Sequence, residues 1–273
     1  MKKLCLLLLV LHPLLHTLAQ EKPHLPKSYT TYKAQKPPKI DGKIGKDEWR
    51  HASWSDPYVD ISDSIDPIPR LRTTCKMLWD DNYLYVAAKL EEPDLWATLK
   101  NHDDIVFQDN DFEVFIDPNN DGTQYFEIEI NALGTVMDLF MFNTYKKGGP
   151  MDMGWNTTGI KSAVFLKGTL NKNDDRDRYW SIEMAIPFES MKRENRISHP
   201  QDGSTWRINF SRVQWQLEKS GLGYVKKKDP NGKRMPENNW VWSPQGVINM
   251  HVPEKWGFLH FKVKAESRYT KQR

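Results

Sequence analysis

The stretch from Asp111 to Asn131, DFEVFIDPNNDGTQYFEIEIN, constrains the fold more than any other. Phe112, Val114 and Ile116 alternate with Glu113, Phe115 and Asp117. Past a turn, Phe126, Ile128 and Ile130 alternate with Glu127, Glu129 and Asn131. Successive side chains of a strand point to opposite faces, so period two on both arms predicts a β-hairpin with one apolar and one acidic face. The residues between the arms, Asp117-Pro-Asn-Asn-Asp-Gly122, are of the types that make turns. With the apolar faces aligned, Glu113 is expected opposite Glu127 and Asp111 opposite Glu129. Like charges directly opposed across strands are destabilising. A hairpin that keeps them needs a partner for them: a cation, an arginine, or the hydroxyls of a ligand.

Other strand patterns follow at short intervals, over residues 73–78, 83–90, 135–142, 161–170, 179–186, 205–215 and 256–263. Short helices are expected through Asp47, Glu48, Trp49 and Ala52, and from Pro187 to Arg193, with Pro187 at the start. Many short strands, few helices and turn-rich connections predict an all-β antiparallel sandwich. The basic segment Gly221 to Pro236 reads as a solvated loop, of the kind that can also frame a binding site.

Lys2 and Lys3 followed by an apolar run from Leu4 to Leu15, with small residues up to Ala19, predict a secretory signal peptide over residues 1–19. An extended leader (20–39), one β-sandwich domain (40–264) and a C-terminal tail (265–273) complete the expected organisation. No stretch is long enough to span a bilayer as an apolar helix. The protein is therefore expected to be exported, to the periplasm, the cell surface or the medium. Loss of Lys2 and Lys3 takes the formal charge from +3 to +1, which gives no electrostatic preference for nucleic acid. Only Cys75 remains after cleavage, so stability must come from a packed core rather than an internal disulfide. Eleven tryptophans are available for that core or as flat platforms for sugar rings.

The phrases Ile40-Asp-Gly-Lys-Ile-Gly-Lys-Asp-Glu-Trp49, Leu78-Trp-Asp-Asp-Asn-Tyr-Leu-Tyr-Val86, Asp111-Phe-Glu-Val-Phe-Ile-Asp-Pro118 and the closing Trp256-Gly-Phe resemble family 9 carbohydrate-binding modules. Trp206 to Trp215 and Val241 to Gly246 are similar to stretches of exported single-domain bacterial relatives. The resemblance runs from about residue 38 to 264. It implies an immunoglobulin-like or jelly-roll sandwich, sugar binding without catalysis, structural calcium in some members, and a role beside glycan-degrading enzymes in carbohydrate catabolism. It also implies a clamp of two tryptophans around a terminal sugar. This chain has Phe107 at the first position and Met250 at the second, with Trp240 and Trp242 nearby. The sugar-contacting acid is retained as Glu113, and the arginine of the next strand is replaced by Glu127 or Glu129.

Several constellations carry chemistry. Glu113, Glu127 and Glu129 can accept hydrogen bonds from sugar hydroxyls, ligate calcium, act as the acid and base of a glycoside hydrolase, or form a solvent-facing stripe neutralised by arginines. Arg207 and Asn209 share a strand face, and Arg212 joins them if a bulge intervenes; these are the candidate counter-charges. Asp117, Asn119 and Asp121 imitate the first half of a calcium loop, but the twelfth position is Ile128 and strands flank it, so a plain turn is the competing reading. Trp155 and Trp240 lie in polar, turn-rich surroundings suited to stacking on sugars. Trp242 is expected in the core, with Trp240 pointing the other way. Related sandwiches hold haem, which would require Met137 or Met141 to face a pocket. His251 and His260 read as isolated and structural. The expected function is non-catalytic binding of an oligosaccharide or polysaccharide, through Phe107, Trp155 and Trp240 for contact area and through the glutamates with Arg207, Asn209 and Arg212 for hydroxyls. Calcium is the one cofactor expected, in a structural role.

Overall fold

A computed structural model describes residues 25–62, 68–193 and 199–263; the expected signal peptide and C-terminal tail lie outside them. The first strands are β1 (Ser28–Lys33), β2 (Val59–Asp60), β3 (Thr73–Trp79) and β4 (Tyr83–Glu91). The hairpin of the sequence follows as β5 (Asp111–Asp117) and β6 (Tyr125–Asn131), then β7 (Val136–Met141), β8 (Met151–Asp152), β9 (Lys161–Lys167) and β10 (Tyr179–Pro187). The last strands are β11 (Thr205–Gln214), β12 (Leu217–Ser220), β13 (Gly223–Lys226), β14 (Asn238–Val241) and β15 (Gly257–Lys262). The helical segments among the described residues are short 3-10 turns, including Phe188–Met191 behind Pro187, as expected. The helix expected around Trp49 is instead a set of turns, tied by Trp49 N–H to the Gly45 carbonyl and Ala52 N–H to that of Trp49.

One mixed sheet runs in the order β8-β7-β6-β5-β11-β15-β1-β3-β4-β10-β9, with β14 pairing β11 and β2, and β12-β13 form a separate ribbon. The sheet curls into a sandwich. Phe112, Val114 and Ile128 from one half and Met77, Val86 and Ile182 from the other belong to one buried cluster. Each fully buried side chain of this kind contributes about 1.5–3 kcal/mol. The stretch expected as a leader supplies β1, which pairs in parallel with both β15 and β3 and joins the two halves. The sandwich is therefore not purely antiparallel. The basic segment from Gly221 likewise contributes β13, and Lys226 Nζ lies 3.6 Å from the centre of the Trp215 ring.

The Ile40-Asp-Gly42 turn docks on β10 through Glu183. Its carboxylate accepts hydrogen bonds from the amides of Asp41 (3.0 Å) and Gly42 (2.9 Å) and from Trp49 Nε1 (2.7 Å). Gly42 has φ +79°, and a Cβ there would lie 2.6 Å from the backbone of Phe165. Gly42→Ala should therefore cost about 2 kcal/mol or more, a fall in Tm of about 5 °C by calorimetry.

Candidate functional site

β5 and β6 are buried on both faces. Phe112, Val114, Ile128 and Ile130 enter the sandwich core, whereas Phe115 packs on the other face with Tyr125, Met137, Leu139, Met250 and Trp256. The acids share that second face and are not solvent-facing: Asp111 is 0 %, Glu113 5 %, Glu127 5 % and Glu129 2 % exposed. The pairing differs from the expected one. Glu113 lies opposite Glu129, Asp111 opposite Asn131, and Glu127 opposite Phe115. The connecting loop takes up more residues than the turn expected from sequence, and the whole register moves by two, which preserves the faces.

A cavity of about 510 Å³ opens above this face. Glu113, Glu127 and Glu129 line its floor with Met137, Leu139 and Val213. Three loops make the walls, contributing Ile105 and Phe107, Tyr145 and Met151, and Ile248, Met250 and His251. The Phe107 loop is fixed at both backbone groups. Phe107 N–H donates to Glu129 Oε2 (3.1 Å), and its carbonyl accepts from Trp215 Nε1 (2.9 Å). Asp109 anchors the same loop through the amides of Thr98 and Leu99 and the side chain of Asn131. The ring of Phe107 is left 38 % exposed at the mouth.

Burial sets the protonation of the floor. Desolvation pushes the Glu113 carboxyl up to about 7 and Glu127 up to about 8, the latter helped by the charge of Glu113. Asp111 and Glu129 are also driven well up, by desolvation and by the neighbouring acids. Glu127 and Glu129 lie two apart on one strand, and their interaction raises the Glu129 carboxyl while easing that of Glu127 down. Ser211, opposite Glu113, favours its ionised form, yet neither Ser211 Oγ nor Glu113 Oε2 completes a hydrogen bond. His251 Nε2 comes within 4.0 Å of Glu127, but this is no ion pair near neutral pH, because desolvation lowers the imidazole to about 4. Its Nδ1 meets Tyr125 Oη at 2.7 Å.

The cavity unites Phe107, Glu113, Glu127 and Glu129, and adds Met250 at the other clamp position. The remaining expected site residues lie elsewhere. Trp155 is buried in the main core, with Nε1 donating to the Ser190 carbonyl. Trp240 and Trp242 are each 1 % exposed in the same core. Trp242 lies just past β14, where its amide still donates to the Phe210 carbonyl and continues the pairing, so residues two apart point the same way and both rings go in. Neither Trp155 nor Trp240 is a platform. Asn209 is used up by Ser243, donating to its carbonyl and accepting from its amide. Arg207 braces the hairpin turn, bonding Asn120 Oδ1 (2.6 Å) and the carbonyls of Glu254 and Trp256. No bulge turns Arg212 toward it: alternation continues, and Arg212 pairs with Glu92 at 3.0 Å within the protein.

Asp117 spends both carboxylate oxygens on the amides of Asn119, Asn120 and Gly122, and Asp121 Oδ1 accepts from Thr123, so the turn uses these oxygens itself. Of the two methionines considered as haem ligands, Met137 lines the cavity while Met141 packs in the cluster beneath it. Tyr145 and His251 were not legible as site residues. His251 reaches β6 through Tyr125, 126 positions away, and Tyr145 packs on the His251 ring, so no local pattern marks either.

Residues 40–202, more than half the chain, match the profile of the carbohydrate family 9 binding domain-like family. The chain belongs to this family. Two enzymes carry similar segments. An exoglucanase, XynX, of Acetivibrio thermocellus is 32 % identical over 156 residues, and endo-1,4-beta-xylanase A of Thermoanaerobacterium saccharolyticum is 29 % identical over 167. The matches cover 56 % and 58 % of this chain but only 12 % and 11 % of those enzymes. Among solved structures, a candidate carbohydrate-binding protein of Bacteroides uniformis is similar with a TM-score of 0.61 and 18 % identity, covering 86 % of this chain and 99 % of that one. A family 9 module of Caldicellulosiruptor kristjanssonii in complex with glucose gives 0.54 and 17 %, covering 87 % and 97 %. These likenesses establish the sandwich fold for this family 9 domain.

Proposed function

We propose that this family 9 domain binds carbohydrate, without catalysing its cleavage, in the cavity above Glu113, Glu127 and Glu129. The observation that carries the reading is the meeting of Phe107, Met250 and the retained Glu113 in one cavity. Phe107 and the methionines offer apolar surface to the C–H faces of a sugar ring. Neutral glutamates both donate and accept hydrogen bonds, which suits hydroxyls. Family 9 structures in complex with glucose and cellotriose, and related segments in a xylanase and an exoglucanase, make β-linked plant oligosaccharides the first ligands to try. Those segments occupy about a tenth of the enzymes that carry them, which supports work beside glycan-degrading partners in carbohydrate catabolism. Export rests on the residues 1–19 pattern, and N-terminal sequencing of protein from culture medium or periplasm should begin at Gln20.

Calorimetric titration with cello- and xylo-oligosaccharides tests the proposal. Phe107→Ala should weaken binding about tenfold, equivalent to about 1.4 kcal/mol, with Tm unchanged because the ring stands at the mouth rather than in the core. Trp155→Ala should do the reverse, lowering Tm through loss of a core ring worth about 3–5 kcal/mol. An absence of binding to any oligosaccharide would reject the proposal. Turnover lost in Glu113→Gln would assign the glutamates to acid–base chemistry instead.

A further inference from the structure

We propose that Asp111, Glu113 and Glu129 hold one hard divalent cation just beneath the cavity, with Glu113 and Glu129 on its floor and the buried Asp111 behind them. One carboxylate oxygen from each lies within 4.8 Å of the others. A calcium ion sits about 2.4 Å from each oxygen it binds, so a single ion spans this set. The three residues stand on neighbouring strands, with Glu113 and Glu129 directly opposed. Asp111 Oδ1 is fixed by the amide of Val213 (3.0 Å), and Glu129 Oε2 by that of Phe107. Asp111 therefore has one oxygen anchored and one, Oδ2, left for a ligand, while Glu129 is held in place through Oε2.

The second observation is independent of the clustering. Asp111 Oδ2, Glu113 Oε2 and the adjacent Glu127 Oε2 are buried atoms with no hydrogen-bond partner. Buried carboxylates are ordinarily paired, hydrogen-bonded or bound to a metal. The two arginines that the sequence offered go elsewhere, Arg212 to Glu92 and Arg207 to Asn120 and two carbonyls. Among the described residues no lysine or arginine ion pair involves these acids. The donor set is all oxygen, the choice of calcium, magnesium and manganese rather than zinc or copper.

Glu129 links the ion to the mouth of the cavity, because its carboxylate also accepts the Phe107 amide at Oε2. Occupancy of the ion site is thus expected to steady the Phe107 loop and to strengthen glycan binding; this consequence, unlike the ion site, rests on the carbohydrate reading. The purified chain, stripped with EDTA and dialysed, is titrated with calcium, magnesium and manganese chlorides by calorimetry and with terbium by tryptophan-sensitised luminescence. One site with Kd on the order of micromolar is expected. Asp111→Asn and Glu129→Gln, checked for folding by near-ultraviolet circular dichroism, should each weaken it at least about a hundredfold. Asp121→Asn, in the hairpin turn, should leave it unchanged. Failure of the wild type to bind calcium, magnesium or manganese would overturn the ion site, as would loss of binding in Asp121→Asn but not in Glu129→Gln. Oligosaccharide binding is measured on the same samples. Ion binding without glycan binding supports the site and rejects the carbohydrate reading; glycan binding with no ion bound does the opposite.

Discussion

In chelator, raising the pH from 5 to 8 is expected to lower the melting temperature by about 10 °C. The sign follows from the floor of the cavity. Glu113 and Glu127 are raised to about 7 and about 8 in the fold, against an ordinary value of 4.5. Over that window the folded chain holds protons that the unfolded chain has released, so stability is highest below about 4.5 and falls as pH rises through the folded values. Raising a carboxyl by one pH unit on folding is worth about 1.4 kcal/mol. His251 acts in the opposite direction: held neutral down to about 4, it costs stability as pH drops below its ordinary 6.5. The net loss between pH 5 and 8 is on the order of 4 kcal/mol, or about 10 °C for a domain of this size. Glu127→Gln should raise Tm at pH 8 and change it little at pH 5. A Tm that stays level or climbs between pH 5 and 8 would show that these carboxyls are not buried together.

Arg212→Met should cost about 3–5 kcal/mol, because it strands Glu92 as an unpaired charge inside the protein. Arg212 is 0 % exposed, and its guanidinium spans Glu92, the Glu91 carbonyl, Thr73 Oγ1 and Gln214 Oε1. It thereby ties β11 to the ends of β3 and β4. Adding Glu92→Gln to Arg212→Met should recover a large part of the loss, since the amide carries no charge to strand. Urea unfolding of the two single variants and the double variant measures the coupling. A loss below about 1 kcal/mol in Arg212→Met would place the pair at the surface.

The strands were legible wherever one face is apolar, because period two is a local signal. The Asp111 to Asn131 alternation gives both arms of the hairpin and their faces. It does not give register, since the length of the turn depends on where Asp117 caps the loop amides. Nor does it show that the second face is buried, because the cover comes from loops around Phe107, Tyr145 and Met250, far away in sequence. The same limit explains the arginines. Arg207 and Arg212 have the charge to answer Glu113, but strand parity sends Arg212 to the other face, and Arg207 lies at the far end of the β5 pairing, opposite Asp117. Trp240 sits in a polar stretch, yet the pairing of β14 with β11 and β2 places its ring in the core, with the guanidinium groups of Arg70 and Arg212 each 5.4 Å from its centre. Polarity of neighbours is a poor guide when one strand face is wholly inside.

Carbohydrate binding in the cavity above Glu113 is tested most directly by amide chemical-shift mapping during an oligosaccharide titration. The prediction is that shifts concentrate on Phe107, Glu113, Glu129, Tyr145 and Met250, with little change near Trp155 and Arg207. Saturable shifts confined to another face of the sandwich, with the Phe107 and Glu113 amides unmoved, would contradict it.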